Sequence, residues 1–132
     1  MKLRKIGTLV IAALAITMAG ALYVTSLGDP GTSVDNPRFR SSAVFLSLSA
    51  SKEQVERYLK ERGSLEGVAH SISIQPSTYA SRIYVSDTGL MTAVDAKNEF
   101  VLMLEPLVKG RSVEWKCSVM PTSAAPKPCR AK

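Results

Sequence analysis

Apolar residues at helical spacing mark one segment in the first half of the chain. Between Ala43 and Arg62, apolar or small side chains recur every three to four residues and predict the buried face of an amphipathic helix: Val44, Leu48, Ser51, Val55, Tyr58 and Leu59. Ser51 and Gln54 have the capping-box pattern, so the regular part of this helix is expected to begin just after Ser51. Gly63 follows as a C-cap.

Apolar and polar residues alternate over much of the second half. Four segments predict strands, at 82–86, 90–95, 99–104 and 112–118. They are joined by turn-forming segments: Asp87-Thr88-Gly89, Ala96-Lys97-Asn98 and Lys109-Gly110-Arg111. Three successive hairpins predict a four-stranded antiparallel meander, and its apolar face requires the preceding helix as a cover. Ile72 and Ile74 alternate with serines and predict a further short strand before Pro76.

The N-terminus has a different pattern. Three basic residues precede a run of 22 uncharged and mostly apolar residues that begins at Ile6 and ends at Leu27. As a helix this run is about 33 Å long, enough to cross a bilayer core. The basic residues, Lys2, Arg4 and Lys5, predict a cytoplasmic N-terminus and an exported remainder.

This segment has three alternative fates. Cleavage after Ala21, at a small-x-small site, makes it a removable signal peptide and leaves Leu22 as the first residue. Without cleavage it is a single-pass anchor. Cleavage after Gly7 leaves Thr8 first and keeps the apolar helix on the mature protein.

Composition shifts divide the chain into three parts. Residues 1–28 form a signal or anchor helix, and residues 29–42 form a hinge or linker, because Asp29-Pro30-Gly31 and Asn36-Pro37 are turn-forming. Residues 43–132 form a globular head. The expected fold class is α+β, an N-terminal hydrophobic helix followed by an amphipathic helix packed on a four-stranded antiparallel sheet.

Both cysteines lie near the C-terminus. Val113, Trp115 and Cys117 share one face of a strand, and Cys129 follows after a loop rich in proline and alanine. In an exported chain, two cysteines this close predict one disulfide, which restricts the unfolded chain and stabilises the fold by about 3 kcal/mol. The alternative is two free buried thiols.

The charge balance is basic. The chain carries a formal net charge of +6, with 17 basic and 11 acidic residues, and the three N-terminal basic residues account for half of that surplus. The rest lies mostly near the C-terminus, where Lys116, Lys127, Arg130 and Lys132 predict a basic contact patch. Such a patch suits phosphate contacts, as in DNA, although an ordinary basic surface is the simpler explanation and no aromatic residues interleave to stack bases.

Catalytic chemistry has no positive support in the sequence. His70 is the one histidine, so no imidazole cluster for zinc exists, and a surface or edge position is expected for it. Asp87-Thr88-Gly89 matches the aspartic-protease triplet, but that chemistry requires two carboxylates sharing a proton, and the triplet is better explained as a turn. The sequence predicts no enzyme activity, cofactor or metal.

A family resemblance rests on the order of several motifs. The helix ends in Tyr58-Leu59-Lys60-Glu61-Arg62-Gly63-Ser64. Next comes the hairpin Ile-Tyr-Val-Ser-Asp-Thr-Gly-Leu-Met-Thr-Ala-Val from Ile83, and then Phe100-Val101-Leu102-Met103-Leu104-Glu105-Pro106. The chain ends with Val113-Glu114-Trp115-Lys116-Cys117 and Pro128-Cys129-Arg130. In this order the segment from Ala43 to Arg130 resembles type IV pilins.

The resemblance implies a pilin-like roll in which a disulfide holds the C-terminal loop for contacts with neighbouring subunits or outside surfaces. It also implies pilin subunits and inner-membrane assembly machinery as partners, with the head in the periplasm or in an extracellular pilus. Ala12 stands where the family has a glutamate, which favours a divergent or minor subunit in adhesion, motility or DNA uptake. The alternative is a periplasmic pilin-like module that binds a pilus component or DNA without polymerising.

Overall fold

The structure, a computed structural model, describes residues 33–130. The predicted membrane segment from Ile6 to Leu27 lies outside this range, and so do the candidate processing residues Gly7 and Thr8 and the basic residue Lys132. Within the range, no helix is both long enough and apolar enough to cross a membrane.

Two consecutive helices, α1 (Pro37–Ser47) and α2 (Ser49–Arg62), are separated only at Leu48. The helical region therefore begins six residues before the predicted start at Ala43, and residues 37–42 of the predicted linker are helical. Asn36 is the N-cap, because its side chain accepts a hydrogen bond from the Arg38 backbone N–H, and Pro37 occupies the first turn. The division into anchor, linker and head otherwise stays a prediction.

The predicted end of the helix is confirmed and the predicted capping box is wrong. Gly63 is the C-cap with φ 74°, and its N–H donates to the Leu59 carbonyl at 2.7 Å. Ser51 lies inside α2 and caps nothing. Its buried hydroxyl has no hydrogen-bond partner among the described residues.

The predicted meander is confirmed. Strands β1 (Ala80–Val85), β2 (Met91–Asp95), β3 (Val101–Lys109) and β4 (Ser112–Met120) pair antiparallel in the order β1-β2-β3-β4. Strand β3 continues five residues beyond its predicted end at Leu104 and includes Pro106, which lies opposite Trp115.

The short strand predicted at Ile72 and Ile74 is absent from this part of the structure. The backbone N–H of Ser73 donates to the side chain of Gln54 at 2.8 Å, and the side-chain amide of Gln54 donates to the Ser73 carbonyl at 3.3 Å. Because the Gln54 amide satisfies both backbone groups, Ser73 needs no neighbouring strand.

The core lies between the helices and one face of the sheet. The predicted helix face is buried at Val44, Leu48, Ser51, Val55 and Leu59, and Tyr58 packs against it partly buried. The sheet contributes Met91, Ala93, Leu102, Leu104 and Val119. The described head is thus α+β, with helices packed on one face of a four-stranded antiparallel sheet.

Candidate interaction surface at the disulfide loop

One face of β4 is directed at the helices, as its alternating pattern predicts. Val113, Trp115 and Cys117 pack partly buried against the core. The indole N–H of Trp115 donates to Glu56 at 2.8 Å, and the Lys52 ammonium lies 5.7 Å from the centre of the indole ring. Trp115 therefore attaches β4 to α2 by both packing and polar contacts.

Cys117 and Cys129 lie at disulfide distance and are paired, with Cα atoms 4.8 Å apart. The predicted pairing is confirmed, and neither cysteine is free. The bond connects the middle of β4 to the last short helical turn, Lys127–Cys129. It closes the loop that begins after Met120, where the Met120–Pro121 peptide bond is cis.

The other half of this loop is attached to α1. The Ser41 hydroxyl donates to the Ala124 carbonyl at 2.6 Å, and Arg38 Nε donates to the Ser123 carbonyl at 2.7 Å. Ala124 and Ala125 are buried. A disulfide to β4 and hydrogen bonds to α1 therefore hold the loop at two separate places.

Arg38 and Ser41 were missed as loop contacts because the sequence pattern assigned them to a linker. One signal was available. Asn36-Pro37 is typical of a turn, and it is also the N-cap and first-turn signature of a helix.

A groove of about 540 Å³ lies between β4 and the loop. Its described lining includes Met120, Pro128 and the disulfide, with the cations Lys116 and Arg130 and no carboxylate. Arg130 Nε donates to the Ala125 carbonyl at 3.2 Å, which holds this side chain against the loop. The groove lining is therefore mostly apolar and carries two positive charges.

The predicted basic patch is brought together only in part. Lys116 and Arg130 line the same groove. Lys127 is exposed on the Lys127–Cys129 turn and does not line the groove. Lys132 lies outside the described residues.

A buried ion pair that the sequence pattern did not indicate connects α1 to β2. Arg40 donates from Nε to Asp95 Oδ1 at 2.9 Å and from Nη2 to Asp95 Oδ2 at 3.0 Å. Arg40 also contacts Glu99 and donates to the carbonyls of Val34 and Asp35. These contacts attach the entry of the chain into the head to the turn between β2 and β3.

The pair perturbs the titration of both groups. Burial by itself raises the pKa of Asp95, but the hydrogen bond from Arg40 and those from the backbone at Glu99 and Lys97 outweigh it, so the pKa lies below its ordinary value. The hydrogen bond to Asp95 raises the pKa of the Arg40 guanidinium despite its burial. Both side chains are therefore charged at neutral pH.

The Asp87-Thr88-Gly89 triplet forms the β1–β2 turn, which confirms the turn interpretation. Gly89 has φ 87°, and a Cβ there would lie 3.3 Å from Pro106 Cγ. His70 is exposed, as predicted, with Nδ1 3.8 Å from Asp87. Between residues 33 and 130, no group of three histidine, cysteine or acidic residues is arranged to hold a metal ion.

Comparison with known proteins finds no matching family model, no similar curated protein and no similar solved structure.

Proposed function

We propose that the chain is a divergent or minor type IV pilin-like subunit, a structural component of a pilus or of its assembly complex that serves adhesion, motility or DNA uptake. One observation carries this proposal: helices cover a four-stranded meander, and a disulfide then attaches the C-terminal loop to the last strand. This is the order that the sequence motifs imply.

In this proposal the two ends of the chain have different tasks. The apolar segment from Ile6 to Leu27 anchors the protein in the inner membrane and packs against other pilin subunits, with the head outside that membrane or in an extracellular pilus. The disulfide loop makes the surface contacts. Ala12 supplies no carboxylate to pair inside an apolar filament core, which supports a minor subunit over a bulk one.

The test is the intact mass of the protein from its native host, compared between membrane, soluble and sheared surface fractions. The proposal expects a chain that starts at Thr8 and appears in the sheared fraction, with a mass that rises by about two daltons on reduction because one disulfide opens. Gly7→Val is expected to abolish this start. The matched variant Ala21→Phe, which alters the signal-peptide site, is expected to leave it unchanged.

Other masses contradict the proposal. A soluble chain starting at Leu22 would instead be a periplasmic module that does not polymerise. A full-length chain confined to the membrane would be an anchored accessory protein.

A further inference from the structure

The outer edge of the sheet at β4 offers unpaired backbone groups. Strand β4 is the last in the sheet order, so among residues 33–130 only its β3 side is paired. Pro106 in β3 lies opposite Trp115, and a proline has no N–H to donate across a hydrogen-bonded pair. Trp115 thus occupies a non-hydrogen-bonded position, where the backbone N–H and C=O are directed away from the partner strand.

The alternation of pairs between β3 and β4 shows which other residues of β4 direct their backbone groups outward. Lys109 and Ser112 close the two-residue turn at Gly110-Arg111 as a hydrogen-bonded pair. Because hydrogen-bonded and non-hydrogen-bonded pairs alternate along an antiparallel ladder, Trp115, three residues after Ser112, falls at a non-hydrogen-bonded pair, as Pro106 also indicates. The residues whose backbone groups are directed outward are therefore the odd-numbered ones, Val113, Trp115, Cys117 and Val119. Val119 is buried, so the part of the edge that a partner can reach consists of Val113, Trp115 and Cys117.

The disulfide loop does not pair with this edge. Its backbone hydrogen bonds stay within the loop, for example from Ala124 to Pro121 and from Cys129 to Pro126. Across the described part of the chain, no backbone hydrogen bond joins the outer edge of β4 to another segment. The groove described above lies beside these unpaired groups, and Met120 at its end is 62% exposed.

The charge around the edge is strongly positive. Residues 109–130 contain five basic residues, Lys109 included, and one acidic residue, Glu114, and Glu114 is already paired with Lys109. Glu56 on α2 accepts the Trp115 indole N–H, and Glu105 lies opposite Lys116 on β3 without a salt bridge to it. Lys116 and Arg130 line the groove, and neither forms a salt bridge with an acidic side chain of the described residues.

We propose that an extended acidic segment of a partner protein adds to β4 as a fifth strand. Its backbone pairs with the outward groups of Val113, Trp115 and Cys117, and its carboxylates lie near Lys116 and Arg130. A second copy of β4 is disfavoured as the occupant because two edges of the same positive charge repel each other. A nucleic acid could use the two cations, but it has no peptide backbone to complete the strand pairing.

This inference goes beyond pilus assembly and stands independently of it. A strand-accepting edge functions equally well in a filament subunit and in a free module. A lack of peptide binding at β4 would therefore leave the proposed pilin-like function untouched. A mass that contradicts processing at Gly7 would likewise leave the strand-accepting edge untouched.

The probe is a pool of capped octapeptides that alternate glutamate with valine, isoleucine, threonine or tyrosine. Binding to the full-length chain in a nonionic detergent is followed by amide hydrogen exchange. The acidic pool is expected to slow exchange at Val113, Trp115 and Cys117 by about tenfold or more, because these amides gain partners. A lysine pool tests the charge, and a fully N-methylated acidic pool tests the backbone pairing; neither is expected to protect these amides.

Charge-matched variants test the groove. Lys116→Gln combined with Arg130→Gln is expected to weaken binding of the acidic pool about tenfold. Arg57→Gln combined with Lys60→Gln removes the same charge from α2 and is expected to leave binding unchanged.

Three results would overturn the proposal. The first is no protection of β4 by millimolar acidic pool, and the second is equal binding of the N-methylated pool. The third is salt-sensitive binding of a duplex oligonucleotide that depends on Lys116 and Arg130 while the peptides give no protection, which would assign these cations to phosphate.

Discussion

The guanidinium of Arg40 forms two hydrogen bonds, of 2.9 and 3.0 Å, with the carboxylate of Asp95, a residue 55 positions further along the chain. Both side chains are buried. Removing two charges from water is costly, and the paired hydrogen bonds offset that cost only while both partners are present. The pair therefore couples the first helix to the end of β2.

Asp95→Asn is expected to lower the free energy of unfolding by about 3 kcal/mol, because it leaves the Arg40 charge buried beside a neutral amide. Urea denaturation of the full-length chain measures this change. Lys97→Gln breaks the exposed contact with Asp35 and is expected to leave the urea midpoint unchanged. Wild-type stability in Asp95→Asn would show that the pair contributes nothing.

The same pair predicts how stability depends on pH. The folded-state pKa of Asp95 lies below its unfolded value of about 3.9, so its contribution is complete above that value and is lost as the pH falls through the folded pKa. The stability difference between the wild type and Asp95→Asn is therefore expected to narrow below about pH 4. Urea titrations from pH 7 to pH 3 measure it. A constant difference across this range would contradict the assignment.

Gly89→Ala is expected to destabilise the head by about 3 kcal/mol, from the strain of its positive φ and from crowding. An added Cβ there would lie 3.3 Å from Pro106 and 3.5 Å from both Val55 and Val68. Gly63→Ala is the matched control, because Gly63 also has a positive φ but a Cβ added to it would meet no atom within 4 Å. It is expected to cost about 1 kcal/mol. Thermal unfolding that shows equal losses would exclude the crowding contribution.

Ser51→Ala is expected to raise the free energy of unfolding by about 1 kcal/mol. The buried hydroxyl of Ser51 has no hydrogen-bond partner among the described residues, and alanine is the better helix former. Ser49→Ala, at an exposed position earlier in α2, tests helix propensity alone and is expected to change stability less. A loss of stability in Ser51→Ala would show that the hydroxyl is satisfied.

Local sequence patterns were sufficient to predict the helical face and the strands of the head. The helix face from Val44 to Leu59, the C-cap at Gly63 and the succession of strands depend on side-chain periodicity and turn chemistry between residues close in the chain. The disulfide followed from the proximity of Cys117 and Cys129 in the sequence. The helix face, each single hairpin and the cysteine pair are encoded within about twenty residues or fewer, which is close to the range over which periodicity is informative.

Contacts between residues far apart in the sequence could be identified only from the tertiary structure. The prediction of a Ser51 capping box was wrong because α2 begins two residues earlier, at Ser49, and the predicted strand at Ile72 is absent because Gln54 pairs with Ser73. The attachment of the loop to α1 through Ser41 and Ala124 joins positions 83 residues apart.

The sequence by itself determined the helix, the meander and the cysteine pair, since the physical cause of each is local. Only the tertiary structure decided that Arg40 is buried against Asp95 and that Lys116 and Arg130 line one groove. The reason is that a buried charge and a shared surface both depend on which distant segments the packed core brings together, and residue periodicity carries no information about those partners.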